Sequence, residues 1–253
     1  MAVPGQVTAA VLVIGNEILS GRTQDANLAW LAVELNKAGV QLREARIVPD
    51  IEAEIVAAVN ALRTRYDYVF TTGGIGPTHD DITAECVARA FGQKLILHPE
   101  AERILRARMA QMGVEVTAAR LRMARTPEKA ELVENPVSGA PGFRVENVFV
   151  LAGIPRIMQA MFVSAKQYLK GGVTILSRTV GCPLPEGVIA DGLTAVQNDF
   201  PDVDIGSYPH YVGGKPGTNL VSRGPDPLRL VEATARIKAL IVELGGTPTE
   251  VVD

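Results

Sequence analysis

Short apolar runs alternate along the chain with segments in which apolar residues return every three or four positions. Ala9-Ala10-Val11-Leu12-Val13-Ile14 is a continuous apolar run that stops at Gly15, the pattern of a strand covered on both faces. Leu28, Leu31, Ala32 and Leu35 then fall at helical spacing, with Asp25 or Asn27 placed to cap the start and Gly39 to stop the end. A second strand is predicted from Gln41 to Val48, a second helix on Ile51, Ile55, Val59 and Leu62, and a third strand from Tyr68 to Thr72. A helix-like run follows at Ala84 to Phe91, then a helix at Pro99 to Met112. A further buried strand is predicted at Val145 to Leu151, and a helix at Pro155 to Leu169 with proline in its first turn. Strands and helices that alternate this regularly imply an α/β fold. Its sheet is mostly parallel, with right-handed crossovers and helices on both faces, a three-layer doubly wound arrangement.

Lys170-Gly171-Gly172 reads as a linker, and the pattern changes after it. Strands are predicted at 173–180, 203–208 and 218–223, and helices at 186–199 and 227–244. Gly213 to Gly217 reads as the turn between the last two strands. The expected organisation is an α/β domain at residues 1–169 followed by a small α+β domain at 173–253. Met109, Met112, Met158 and Met161 fall in pairs at helical spacing and are expected in the core.

Composition narrows the partners. A net charge of −3 gives no basic field, so nucleic acid is not an expected partner. There is no apolar run of membrane-spanning length, and MAVPGQVTAA lacks a basic segment leading into an apolar one. A cytoplasmic protein with no membrane partner is therefore expected. Cys86 and Cys182 match no metal or redox spacing and are expected to be reduced and packed; His79, His98 and His210 are equally scattered.

The densest chemistry lies in TTGGIGPTHDDIT, Thr71 to Thr83, at a strand-to-helix corner. Ligands of open α/β sheets bind beyond the carboxyl ends of the strands, where this corner falls with Gly15-Asn16-Glu17 and Val48-Pro49-Asp50. Glycines there let backbone N–H groups approach a phosphate, and Thr71, Thr72 and Thr78 offer hydroxyl donors. Asp80 and Asp81 admit two readings: one caps the following helix, or both stand beside a phosphate whose charge a divalent cation bridges. Without the cation, the carboxylates would repel the anion.

GNEILSGRTQDAN, VPD, TTGGIGPTHDDIT, NPVSGAPGF and LAGIP, in that order over about residues 7–169, resemble the molybdopterin-binding, MoaB/MogA-like domain of the CinA (competence/damage-inducible) family. GGIGPTHDD is especially similar to the corresponding domain of eukaryotic FAD synthases, and Asp204 to Pro209 resemble the small domain that follows in short CinA-like proteins. No counterpart of the nicotinamide-nucleotide amidase domain of longer CinA proteins is expected within this sequence. The resemblance implies a pocket for a nucleotide or pterin in a dimer or trimer. It implies either metal-dependent cleavage of a phosphoanhydride, in ADP-ribose- or FAD-like dinucleotides, or adenylyl transfer to molybdopterin. A non-catalytic binding module is the third possibility. Carried over by motif, Thr72, Gly73, Gly74, Gly76 and Thr78 would hold phosphate. Asp81 and Asp50 would bind a magnesium, manganese or cobalt ion or orient water, with Asp80 as a further catalytic carboxylate. Gly15, Asn16, Glu17 and Asn27 would contact ligand, as would the second loop through Ser138, Gly139, Pro141 and Gly142. His79, one residue before the acidic pair, is a candidate general base, histidine being the side chain type most often used in that role. Ala152 and Ile157 stand where the family usually has proline and glutamate, which removes an acidic residue from that corner.

Overall fold

The computed structural model describes residues 5–212 and 214–251. The chain divides into two compact units between Val173 and Thr174. The first begins with β1 (Val7–Ile14), a one-turn helix α1 (Asn16–Leu19), α2 (Asn27–Lys37), β2 (Val40–Val48), α3 (Glu52–Arg63), β3 (Tyr68–Thr72) and α4 (Thr83–Ala90). It continues with β4 (Leu95–Leu97), α5 (Pro99–Gln111), the short α6 (Ala118–Leu121), β5 (Arg125–Pro127), β6 (Glu131–Val133), β7 (Gly142–Val145), β8 (Val148–Leu151) and α7 (Pro155–Ala165). A 3-10 turn at Arg122–Ala124 leads into β5.

The main sheet runs β2-β1-β3-β8-β7-β6. Its first four strands are parallel, while β7 is antiparallel to both β8 and β6. The pleat of β1 separates two cores. Ala10, Leu12 and Ile14 pack with Ile55, Val59 and Leu62 of α3 and Cys86 and Val87 of α4. Ala9, Val11 and Val13 pack on the other face with Leu31 and Leu35 of α2 and Met158, Met161 and Phe162 of α7. The expected three-layer, mostly parallel sheet is the observed one.

Three local readings are corrected. Val145 to Leu151 is not one strand: it holds the β7–β8 hairpin, with Glu146 at φ 50° in the turn. An apolar run buried on both faces hides a reversal when only Glu146 and Asn147 interrupt it. Met112 is 58 % exposed, unlike Met109, Met158 and Met161, because α5 ends one residue earlier. The helix after Pro155 closes at Ala165 and tightens into a 3-10 turn at Lys166–Tyr168.

The second unit contains β9 (Leu176–Cys182), α8 (Glu186–Asp199), β10 (Asp204–Val212), β11 (Lys215–Gly224), α9 (Pro227–Glu243) and β12 (Thr249–Val251). Its antiparallel sheet, β10-β11-β9-β12, places Val180, Cys182 and Leu220 against Ile189 and Val196 of α8 and Ile237 and Ile241 of α9. This is the expected small α+β unit with its strands corrected: β9 begins at Leu176 rather than Val173 and runs on to Cys182, β12 is an unpredicted fourth strand, and β10 and β11 extend to Val212 and Lys215, which shortens the predicted turn. Gly213 of that turn lies outside the described residues. Among the described residues no helix is long and apolar enough to cross a membrane.

Candidate functional site

The carboxyl ends of β1, β2, β3 and β8 open onto one edge of the main sheet. There, Gly73 and Gly74 carry backbone φ angles of +103° and +68°, which residues other than glycine rarely adopt. The space is closed as well: a Cβ on Gly73 would lie 2.1 Å from the Ile14 carbonyl oxygen, and one on Gly74 2.1 Å from Thr83 Oγ1. Gly73 N–H donates to Leu151 O at 3.2 Å, and Thr83 ties the loop from below through N–H to Gly74 O and hydroxyl to Gly73 O, both 3.0 Å. The amides of Gly74, Ile75 and Gly76 are left without a hydrogen-bond acceptor among the described residues. All three residues line a cleft of about 530 Å³.

Asp81 also lines the cleft, but it does not cap α4. Ile82 holds the cap position without a side-chain bond, whereas Asp81 Oδ2 accepts the Thr78 N–H at 2.8 Å and the Thr78 hydroxyl. The turn falls at His79–Asp80, closed by the Asp81 N–H to Thr78 O, so the Asp81 carboxylate braces the loop in which it sits. A Cβ on Gly76 would meet this carboxylate at 2.6 Å. Asp50, at the end of β2, accepts the Asn16 N–H at 2.8 Å and pins the start of α1. This brings Glu17 to the cleft wall. Asp80 and His79 point outward, and the His79 side chain is 96 % exposed with Nδ1 4.0 Å from Asp80 Oδ1.

Other expected contacts fall elsewhere. Thr71 and Thr72 are buried in β3, 0 % and 1 % exposed, and do not line the cleft; a strand residue on either face of a covered sheet points into a core. Thr78 is exposed and bonded to Asp81. Gly15, buried, donates its N–H to Val48 O and joins β1 to β2. Asn27 is 4 % exposed and its Nδ2 donates to Gly153 O at 2.7 Å, so it supports the β8–α7 corner from behind; Asp25 supplies the bond to the Leu28 N–H. Of the second loop, Ser138 lines the cleft, while Pro141 and Gly142 are buried at the entry to β7. Gly142 is needed there because a Cβ would lie 2.5 Å from Val150 O. Gly139, at φ +80°, sits over the Arg108 side chain.

Sequence reasoning missed Asn135 and the apolar part of the lining, Ile75, Met123, Ile154, Ile157 and Met161. The signal for Ile157 lies in its standing where the resemblance puts a glutamate: the exchange marks a lost acid in sequence and an apolar wall in the fold. Among the described residues, no lysine or arginine lines the cleft. Nor do three or more His, Cys, Asp or Glu side chains converge as a ready-made metal cage. Burial pushes the Cys86 thiol up to about 12, which removes it as a nucleophile.

Residues 10–171 match the model of the probable molybdopterin binding domain, and residues 174–245 that of the FAD synthase middle domain. This chain belongs to the CinA-like molybdopterin-binding-domain family. A protein of Archaeoglobus fulgidus is 35 % identical over 232 residues, spanning 91 % of this chain and 96 % of the relative. A CinA-like protein of Desulfosudis oleivorans is 34 % identical over 209 residues; these are 78 % of this chain but 51 % of that relative. The crystal structure of CinA from Thermoplasma acidophilum, a protein of unknown function, is similar with a TM-score of 0.59 at 34 % identity, covering 65 % of this chain and 98 % of that one.

Proposed function

We propose that the cleft binds a nucleotide through its phosphates and hydrolyses a phosphoanhydride in an ADP-ribose- or FAD-like dinucleotide, with a divalent cation. The observation that carries this reading is the run of three unpaired amides, Gly74 to Gly76, on the cleft wall. Successive free N–H groups form an anion-binding concavity, and their cost in a folded chain is offset when an oxygen fills it. The apolar residues of the same lining suit a planar ring attached to that anion, and a volume of about 530 Å³ is that of a small-molecule site.

Charge balance supports the cation. Glu17 and Asp81 face the cleft without a basic side chain to offset them, so a polyphosphate entering alone meets net repulsion. The protein donors suit a magnesium-like ion, which is usually held by one or two carboxylates together with substrate phosphates. Asp81, on the cleft wall, would hold it, with Asp50, which lies outside the lining and pins the Asn16 N–H beside Glu17, as the second carboxylate. When bound, such an ion neutralises charge on the anhydride and lowers the pKa of coordinated water. The amides of Gly74 to Gly76 fix the phosphoryl oxygens, and Asp81, braced by Thr78, orients the water. The water oxygen adds to one phosphorus as the bridging P–O bond breaks; the departing phosphate keeps the bridging oxygen with the bond's electron pair, and the water's protons pass to the two phosphate products and solvent. Two phosphomonoesters leave: AMP with ribose 5-phosphate, or AMP with FMN.

Adenylyl transfer to molybdopterin is the second reading, favoured by the family match of residues 10–171. Product analysis separates them. The chain is incubated with ADP-ribose or FAD, and separately with ATP plus molybdopterin, across magnesium, manganese and cobalt. AMP released from a dinucleotide, abolished by chelator and restored by metal, supports hydrolysis. AMP joined to molybdopterin with pyrophosphate released supports transfer, and full hydrolysis in chelator overturns the cation requirement.

A further inference from the structure

The loop from Asn135 to Ala140 is organised by one side chain. Asn135 is 7 % exposed and lines the cleft. Its Oδ1 accepts the N–H groups of Val137 and Ser138, both at 3.1 Å. Its Nδ2 donates to Ala140 O at 2.8 Å and to Ser138 Oγ at 2.6 Å. Its main-chain oxygen accepts the Gly139 N–H at 3.0 Å. The orientation of the amide is not a matter of choice. Two backbone N–H groups can only donate and the Ala140 carbonyl can only accept, so the oxygen must face the first pair and the NH2 group the second.

This has a chemical consequence for Ser138. A serine hydroxyl both donates and accepts, and in a free loop its proton turns to suit whatever is near. Here Asn135 Nδ2 has only protons to offer, so Ser138 Oγ is held as its acceptor and the hydroxyl proton is directed away from Asn135. No described residue accepts that proton, and Ser138 lines the cleft. We propose that Asn135 is a positioning residue that turns the Ser138 hydroxyl into a committed donor, aimed at a phosphoryl oxygen of the bound nucleotide. The inference rests on the phosphate-site reading above and adds a donor from a second loop of the same lining to the Gly74–Gly76 amides. It also accounts for a serine in a loop that already satisfies its own backbone.

The test is a double-mutant cycle on the full chain, with affinity for ADP-ribose and for pyrophosphate, each in the form whose bridging oxygen is replaced by methylene so that it is not cleaved, measured by calorimetry in magnesium. Ser138→Ala removes the donor and is expected to weaken both ligands on the order of tenfold, the scale of one hydrogen bond to a charged acceptor. Asn135→Asp keeps an oxygen for the Val137 and Ser138 N–H groups but has no proton to donate. The Ser138 hydroxyl then turns to donate to the new carboxylate and is lost to the ligand. In that background, Ser138→Ala is expected to cost less than about twofold, because the donor is already gone. A purely structural Asn135, or mere repulsion by the added charge, predicts the same tenfold loss in both backgrounds, and that result would overturn the proposal. A loss confined to ADP-ribose, with pyrophosphate unaffected, overturns the assignment of the donor to a phosphoryl oxygen. If Asn135→Asp does not fold, Ser138→Ala decides alone, and unchanged affinity for both ligands overturns the proposal. A wild-type chain that binds both ligands while Ser138→Ala changes nothing sinks this inference and leaves the phosphate site standing. A wild-type chain that binds neither sinks both.

Discussion

Alanine at position 74 tests the phosphate loop at the point where its geometry is most demanding. The substitution acts twice. It places a Cβ on a residue at φ +68°, a conformation that costs an L-residue roughly 1–2 kcal/mol. It also sets that Cβ 2.1 Å from Thr83 Oγ1, closer than any contact can be, so the hydroxyl must leave its bond to Gly73 O. Thr83 is 0 % exposed, and losing a buried hydrogen bond with an acceptor left unpaired costs about 1–3 kcal/mol. The expected loss for Gly74→Ala is therefore about 2–5 kcal/mol in all. Thr83→Ala removes the same hydrogen bond by another route. In its background the clash with oxygen is gone and the nearest remaining contact is 3.2 Å, to the Thr83 Cβ, so Gly74→Ala should cost only about 1–2 kcal/mol there. Urea unfolding followed by tryptophan fluorescence measures this cleanly. Trp30 is the single tryptophan and packs edge-on against Phe162 at 5.5 Å in the first unit, so the signal is not mixed with unfolding of the second. Equal losses in the two backgrounds, or a loss below about 1 kcal/mol in the wild type, would refute the loop geometry argued here.

Asp81→Asn keeps an oxygen for the Thr78 N–H and should unfold close to wild type, while phosphoanhydride turnover falls on the order of 10²-fold or more. Asp80→Asn, which alters an exposed carboxylate outside the cleft lining, is expected to lose less, and wild-type turnover by Asp81→Asn removes that residue from the mechanism. Tyr66→Phe probes stability away from the site. The Tyr66 hydroxyl donates to Glu44 Oε2 at 2.6 Å and, with Arg46 next in effect, holds that carboxyl below its usual value. A carboxylate with a depressed folded pKa stabilises above the usual glutamate range and loses that contribution as pH falls through its lower folded value. Tyr66→Phe should therefore cost about 1.5–3 kcal/mol at pH 7, and the gap to wild type should close on acidification. A gap that stays constant or widens from pH 7 to pH 3 would contradict the assignment.

The layers of the first unit were legible because each is a one-dimensional signal. Ala9 to Ile14 reads as a strand covered on both faces, and Leu31 with Leu35 reads as a helix face; neither depends on what lies across the sheet. The β7–β8 hairpin was not legible for the converse reason. Val145, Val148, Phe149, Val150 and Leu151 are all buried whether the chain runs straight or reverses at Glu146, so burial alone cannot show the turn. The short pairs β4–β5 and β6–β7 carry too few residues for a period to emerge.

The site divides along the same line. Its glycines announce themselves, since positive φ and close backbone approach leave few alternatives, and the structure gives Gly73 and Gly74 both. The direction of a side chain does not announce itself. Asp80 and Asp81 are adjacent in sequence, yet one faces solvent and the other braces Thr78 on the cleft wall, a difference set by how the loop turns before Ile82. Thr72 and Asn27 belong to the family's motifs, yet Thr72 ends in the sheet interior and Asn27 behind Gly153. Asn135 shows the limit most plainly. As one letter at the head of NPVSGAPGF it reads as an ordinary turn former. Only when Val137, Ser138 and Ala140 are folded back onto it does its amide have a fixed orientation, and only then does the Ser138 hydroxyl acquire a direction. Residue type thus places the anion site at this corner of the sheet, while which groups face the ligand follows from hydrogen bonds that close between residues two to five positions apart.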